Sequence, residues 1–166
     1  MGKNIIAQHR GRGGPRYRAP SHRYIGRIAY KPYDLKEKTE LLTAKVLDIV
    51  HDSGHSAPIV ILKYENGEKN YMLAAEGIST NSSIETGSKA NPSTGNILSL
   101  INIPIGMRIH NIEKNPGDGG KFIRSSGCSA KVLSKTDEFV LVKFPSKKEK
   151  KFNPNCRATI GIIGGS

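Results

Sequence analysis

Apolar and polar positions along this chain alternate in short runs, and none sustains the 3.6-residue period of an amphipathic helix. Leu41 to Val50 is rich in apolar and β-branched residues without a helical period, which predicts a strand. Ile59 to Glu65 and Glu68 to Ala74 flank Asn66-Gly67, a turn pair typical of the type I′ hairpin. Pairing about that turn places Val60, Leu62, Tyr71 and Leu73 on one face, the predicted core face. Residues 75–95 shift to Ser, Asn, Gly and Thr, predicting loops around one short strand near Ile84. Met107 to Glu113, Ser129 to Lys135 and Glu138 to Phe144 read as further strands, with a turn at Thr136-Asp137. No helix longer than a turn or two is predicted, and there is no internal repeat. The expectation is a mostly β protein.

Charge divides this pattern into three. Residues 1–33 hold eight Lys/Arg and no acid, 34–98 six bases and nine acids, and 99–166 twelve bases and five acids. The total of 26 bases against 14 acids, +12 overall, calls for a polyanionic partner. A membrane is the weaker choice, because no apolar run approaches the ~20 residues of a span. A signal peptide is unsupported, since Ile5-Ile6-Ala7 is too short an apolar core and Arg10 follows closely. A mitochondrial leader fits the acid-free arginines but not their glycine and proline neighbours.

The first part reads Gln8-His-Arg-Gly-Arg-Gly-Gly-Pro-Arg-Tyr-Arg-Ala-Pro-Ser-His-Arg-Tyr-Ile-Gly-Arg27. It has too few apolar residues for a core of its own, so in isolation it is expected to be without order. Arginines spaced by glycine and tyrosine suit a folded RNA surface, through bidentate phosphate contacts and stacking on exposed bases. A solvated tail is the plainer alternative.

The densest chemistry lies between Asn115 and Ala130. Gly117, Gly119 and Gly120 admit positive φ and close backbone approach, and Lys121 and Arg124 follow at once. Successive amides there could cradle phosphates, or the stretch could be an ordinary turn between strands. His51-Asp52-Ser53-Gly54-His55 could hold a metal or a nucleophile, but no third or fourth ligand is obvious, and a turn explains the same residues. Lys147, Lys148, Lys150 and Lys151 beside Phe152 form a basic run that an edge strand would also explain. Cys128 and Cys156 lack metal-site spacing and read as small structural residues of a reducing compartment.

Several stretches together resemble the large-subunit ribosomal protein L-two family in its archaeal form. They are Arg10-Gly-Arg-Gly, Arg18-Ala-Pro-Ser-His-Arg-Tyr24, Asp52 to Pro58, Gly95-Asn-Ile-Leu98 and Ile103-Pro-Ile-Gly106. His110-Asn-Ile-Glu113, Pro116 to Gly120 with Arg124-Ser-Ser-Gly127, and Cys156-Arg-Ala-Thr-Ile-Gly161 complete the set. The resemblance implies a basic rRNA-threading extension (1–33), an OB-like β-barrel (34–98) and an SH3-like β-barrel (99–166). It implies primary binding to large-subunit rRNA in the cytoplasmic ribosome, beside other large-subunit proteins. Support of subunit association, tRNA binding and the peptidyl transferase region comes with it. No enzymatic activity, cofactor, metal, membrane or small-molecule substrate is implied. The alternative is a free OB-type RNA-binding chaperone, which ten aromatics and no Trp make a poor stacking platform.

Carried over residue by residue, the rRNA contacts are Arg10, Arg12, Arg18, Arg23, Lys121, Arg124 and Arg157, with His22 and Tyr24 stacking on bases. Gly117, Gly119 and Gly120 are the close-backbone glycines. His55 stands where the family usually has arginine, and Cys128 where threonine is expected. The sequence stops at Gly164-Gly165-Ser166, whereas the family continues into a glycine-, arginine- and histidine-rich C-terminal extension. Natural shortness and a fragment are both open.

Overall fold

The computed structural model describes residues 2–3, 5–32 and 41–165. The expected beginning of the OB-like barrel, 34–40, therefore lies outside the described residues. Ten strands dominate the described residues: β1 (Leu42–Val50), β2 (Ile59–Tyr64), β3 (Lys69–Leu73), β4 (Ser83–Thr86) and β5 (Ile97–Ser99) come first. β6 (Arg108–His110), β7 (Ala130–Lys135), β8 (Val140–Lys143), β9 (Glu149–Phe152) and β10 (Arg157–Ile160) follow. Among the described residues the helical content is α1 (Ile6–Gly11) and two single 3-10 turns at Ser21–Arg23 and Leu100–Asn102.

Neighbouring strands run in the order β3-β2-β1-β4-β5-β10-β6-β7-β8-β9. All pairs are antiparallel except β4 with β5, which meet through the single pairing Thr86↔Ile97. That one parallel contact separates a first half, β1–β4, from a second half, β5–β10. β10 returns between β5 and β6 and is buried along its whole length, so it closes the second half.

Each half has its own core. Val46, Val60, Leu62, Met72 and Ile84 fill the first, and Leu98, Ile103, Ile109, Val132, Val142 and Ile160 fill the second. A third cluster spans the halves: Ile28 from the N-terminal segment, Ile59 and Leu73 from the β2–β3 hairpin, and Ile163 beyond β10. Backbone bonds from Glu76 N to Ile162 O (2.8 Å) and Gly164 N to Ala74 O (2.9 Å) reinforce that seam.

The hairpin corrects one expectation. Tyr71 faces Ile61 and Leu73 faces Ile59, while Val60 and Leu62 face Met72 and Asn70. Val60 and Leu62 therefore do not share a face with Tyr71 and Leu73. The turn is one residue longer than the Asn-Gly pair implied: Tyr64 N donates to Glu68 O (3.0 Å), leaving Glu65, Asn66 and Gly67 as the loop. A one-residue change of register exchanges the faces of a strand pair. Both faces are apolar because one meets the first core and the other meets the seam, so the sequence pattern tolerated either register.

Candidate nucleic-acid interface

The N-terminal segment divides at residue 25. Before it, Arg10, Arg12, Arg18, His22 and Arg23 are exposed, and so are Ile5 and Ile6 beside α1. A six-residue helix whose described side chains are exposed is below the length at which helices persist alone. Arg10 lies over the Tyr17 ring at 5.5 Å, and Tyr24 is 37% exposed with its ring against Gly54. A Cβ on Gly54 would stand 2.8 Å from that ring, so glycine is what admits the tyrosine.

From residue 25 the segment is a strap, held against the folded body. Ile25 N donates to the Asp52 carboxylate (3.0 Å), which also receives Gly54 N (3.2 Å) and contacts His55 Nδ1 (2.6 Å). These bonds, His55 foremost, hold the Asp52 carboxyl below its usual range against the opposing effect of burial. The Asp52–His55 turn thus serves as an anchor for the strap. Tyr30 N donates to Gly119 O (3.0 Å), Arg124 Nη2 to Ile28 O (3.0 Å) and Arg157 Nη1 to Lys31 O (2.9 Å). The buried Tyr30 hydroxyl donates to Asn111 O and meets Thr159 Oγ1, both at 2.7 Å, and burial raises its pKa.

The glycine loop is the other half of this dock. A Cβ on Gly119 would lie 2.9 Å from Ala29 Cβ, and one on Gly120 would lie 2.5 Å from Asn111 Oδ1. Both residues, with Gly117, have φ between 85° and 91°. The backbone that approaches Gly119 is the chain's own, at Ala29 and Tyr30, and Gly120 lies against Asn111.

The phosphate cradle does not survive. Gly117 N and Gly119 N donate to the two oxygens of Glu113 (3.2 and 3.1 Å), and Gly120 N donates to Asp118 (3.3 Å). Glu113 also receives Arg157 N (2.8 Å), Nε (3.1 Å) and Nη2 (2.7 Å). An internal carboxylate already occupies the concavity. Arg157, expected on the RNA, lies in the same buried group: its side chain is 3% exposed and its guanidinium meets Glu113 and Lys31 O.

Lys121 and Arg124 also part company. Lys121 is exposed, 3.6 Å from Asp118, and free to reach outward. Arg124 is half-buried, holds the strap, and has its basicity lowered by that burial. Arg27, absent from the expected contacts, lines a small cleft together with His55, Lys121 and Arg124. Ile28 and Tyr30, bulky apolar residues amid cations, were the signal that this stretch docks.

Exposed cations on an arm strapped across two joined β modules define a class: basic, extension-bearing β proteins suited to polyanions. Residues 2–86 match the family described as Ribosomal Proteins L2, RNA binding N-terminal domain, and residues 93–166 match Ribosomal Proteins L2, C-terminal domain. The chain is similar to large ribosomal subunit protein uL2 of Methanosphaera stadtmanae, 47% identical over 99% of this chain and 68% of that one. The counterpart in Methanothermobacter thermautotrophicus gives the same figures, and that of Methanococcus vannielii is 46% identical over 99% and 70%. The chain belongs to the ribosomal L2 family, and its two modules are an OB-like barrel followed by an SH3-like barrel.

Proposed function

We propose that this protein is a structural, non-catalytic constituent of the large ribosomal subunit that binds large-subunit rRNA. Family membership along both modules carries the reading, and the acid-free arm supplies its physics. Arg10, Arg12, Arg18 and Arg23 replace condensed counterions as the arm threads into rRNA, while His22 and Tyr24 offer rings to unpaired bases. Lys121 adds a contact beside the glycine loop, and Arg124 acts mainly by holding the strap that aims the arm. The strap stiffens the junction, so the two modules present one surface.

Support of subunit joining, tRNA binding and the peptidyl transferase region belongs to the same proposal, in the cytoplasmic ribosome beside other large-subunit proteins. Residues 1–33, 34–98 and 99–166 are its arm and two modules, the boundary falling within β5 (Ile97–Ser99), which pairs chiefly with β10 and meets β4 at Thr86↔Ile97. No helix of the described residues is long and apolar enough to cross a membrane. No observation favours a free chaperone. The direct experiment is co-sedimentation of the endogenous protein with large subunits at moderate salt. Recovery in the ribosome-free fraction alone would refute the proposal.

A further inference from the structure

The second module carries a row of cations that neither the arm nor the glycine loop explains. Arg108 on β6 lies directly opposite Lys131 on β7, and Lys131 directly opposite Lys143 on β8. Facing residues on antiparallel strands have Cβ atoms about 4.5–5.5 Å apart, and like charges so placed repel. All three are exposed, and none has an ion pair or side-chain hydrogen bond with a described residue. The row ends at Glu149 on β9, opposite Lys143, so one carboxylate faces three cations.

Three other lysines of this module are occupied. Lys135 Nζ donates to Ile101 O (2.9 Å), and Lys150 and Lys151 lie over the rings of Phe122 (4.1 Å) and Phe139 (4.2 Å). Beside the row runs a groove floored by residues 127–130 and edged by Arg108, Lys131, Lys143 and Lys147, with no acid among the described residues that line it. It shares no residue with the cleft of Arg27, Lys121 and Arg124.

We propose that the β6–β7–β8 face is a second polyanion-binding surface, independent of the arm, and that its partner is the phosphate backbone of structured RNA. The proposal rests on the rRNA-binding reading above and extends it to a separate face. Adjacent strands set the cations about 4.8 Å apart, so the row spans about 10 Å, a continuous strip of charge. An acidic protein partner would need an apolar or aromatic anchor pocket at its centre. Among the described lining residues the larger apolar side chains are half-buried Phe144 and exposed Pro145, beside the small Cys128 and Ala130. Phosphates need only charge and reach, and binding them relieves the cross-strand repulsion.

The test is the triple variant Arg108→Gln, Lys131→Gln, Lys143→Gln, titrated with a large-subunit rRNA transcript over a range of salt and melted without RNA. Expected is a salt slope shallower by about two, at roughly 0.7–0.9 for each phosphate no longer neutralised, and affinity down by roughly tenfold or more. The melting temperature of the free variant holds or rises, because like charges have been removed. Its footprint on the RNA loses protections distinct from those that disappear on deleting residues 2–24. Unchanged affinity and slope, or weaker binding that accompanies a lower melting temperature, overturns the proposal. Loss of binding to polyglutamate with rRNA binding intact would also overturn it, assigning the row to an acidic protein. Wild-type protein that binds no rRNA would refute the parent reading as well, so the two failures are distinguishable.

Discussion

Arg157 and Glu113 meet inside the second module, Nη2 to Oε1 at 2.7 Å, with side chains 3% and 0% exposed. The pair fixes three things together. Glu113 gathers the glycine loop through Gly117 N and Gly119 N, and Arg157 holds the strap through Lys31 O. The Arg157 guanidinium also lies 5.2 Å from the centre of the Tyr30 ring. Loop, strap and β10 are therefore joined at one buried ion pair.

Removing one member should be severe. Glu113→Ala leaves a buried guanidinium and two loop amides without their acceptor, and breaking such a pair costs about 3–5 kcal/mol. Chemical unfolding of the free protein reads this directly. A loss below about 1 kcal/mol would show that the pair is replaceable.

The strap predicts a different outcome for its neighbours. Gly119→Ala puts a Cβ 2.9 Å from Ala29 Cβ at a φ of +85°, so the strap must lift or the loop must strain. Strain of this kind costs about 1–3 kcal/mol. Limited trypsin digestion should then cut after Arg27 faster than in the wild type. Equal cutting rates would mean that the strap is held elsewhere.

Lys121 and Arg124 should separate experimentally. Lys121→Ala should weaken rRNA binding modestly and leave the melting temperature unchanged, because the side chain is exposed. Arg124→Ala should lower the melting temperature too, since Ile28 O loses its donor, worth about 1–3 kcal/mol with the charged group involved. Identical behaviour of the two variants would contradict the division.

Deleting residues 2–24 removes six cations but keeps the strap. The salt dependence of rRNA binding should flatten by several units, at roughly 0.7–0.9 for each phosphate the arm no longer neutralises, while the unfolding midpoint barely moves. An unchanged slope would remove the arm from the interface.

His110 supplies a pH test. It is fully buried, its Nδ1 3.1 Å from Gly161 O, and desolvation pushes its pKa down from 6.5 to about 4. The unfolded chain therefore binds the proton more readily, and stability rises with pH across that window. Its contribution is complete above pH 6.5 and is lost as pH falls toward about 4, amounting to roughly 3 kcal/mol. His110→Asn should flatten the dependence of unfolding free energy on pH between these limits. Cys156, whose thiol burial pushes up to about 12, adds nothing there.

Much of the architecture was legible in the chain. β1, the β2–β3 hairpin, β4, β7 and β8 lie where short apolar runs and turn residues put them. β5 and β10 were not, because Ile97–Ser99 is three residues long and β10 is buried on both faces, so neither alternates. The exposed arm cations were legible as well, since acid-free composition survives any fold. The roles of Glu113, Arg124 and Arg157 were not, because a charged residue in a motif looks alike whether it faces RNA or a buried partner.

By itself the sequence determined what depends on local chemistry: a mostly β chain, a basic arm without a core, and glycines where backbone must pass close. Only the tertiary structure decided what depends on which distant residues meet. It set the hairpin register through a three-residue turn and turned the loop amides onto Glu113 instead of phosphate. It also laid residues 25–31 across both modules and aligned Arg108, Lys131 and Lys143 in one row. The physical reason is common to all four. Charge and hydrogen-bonding capacity are properties of a residue, but their satisfaction is a property of its neighbours, and here those neighbours come from far along the chain.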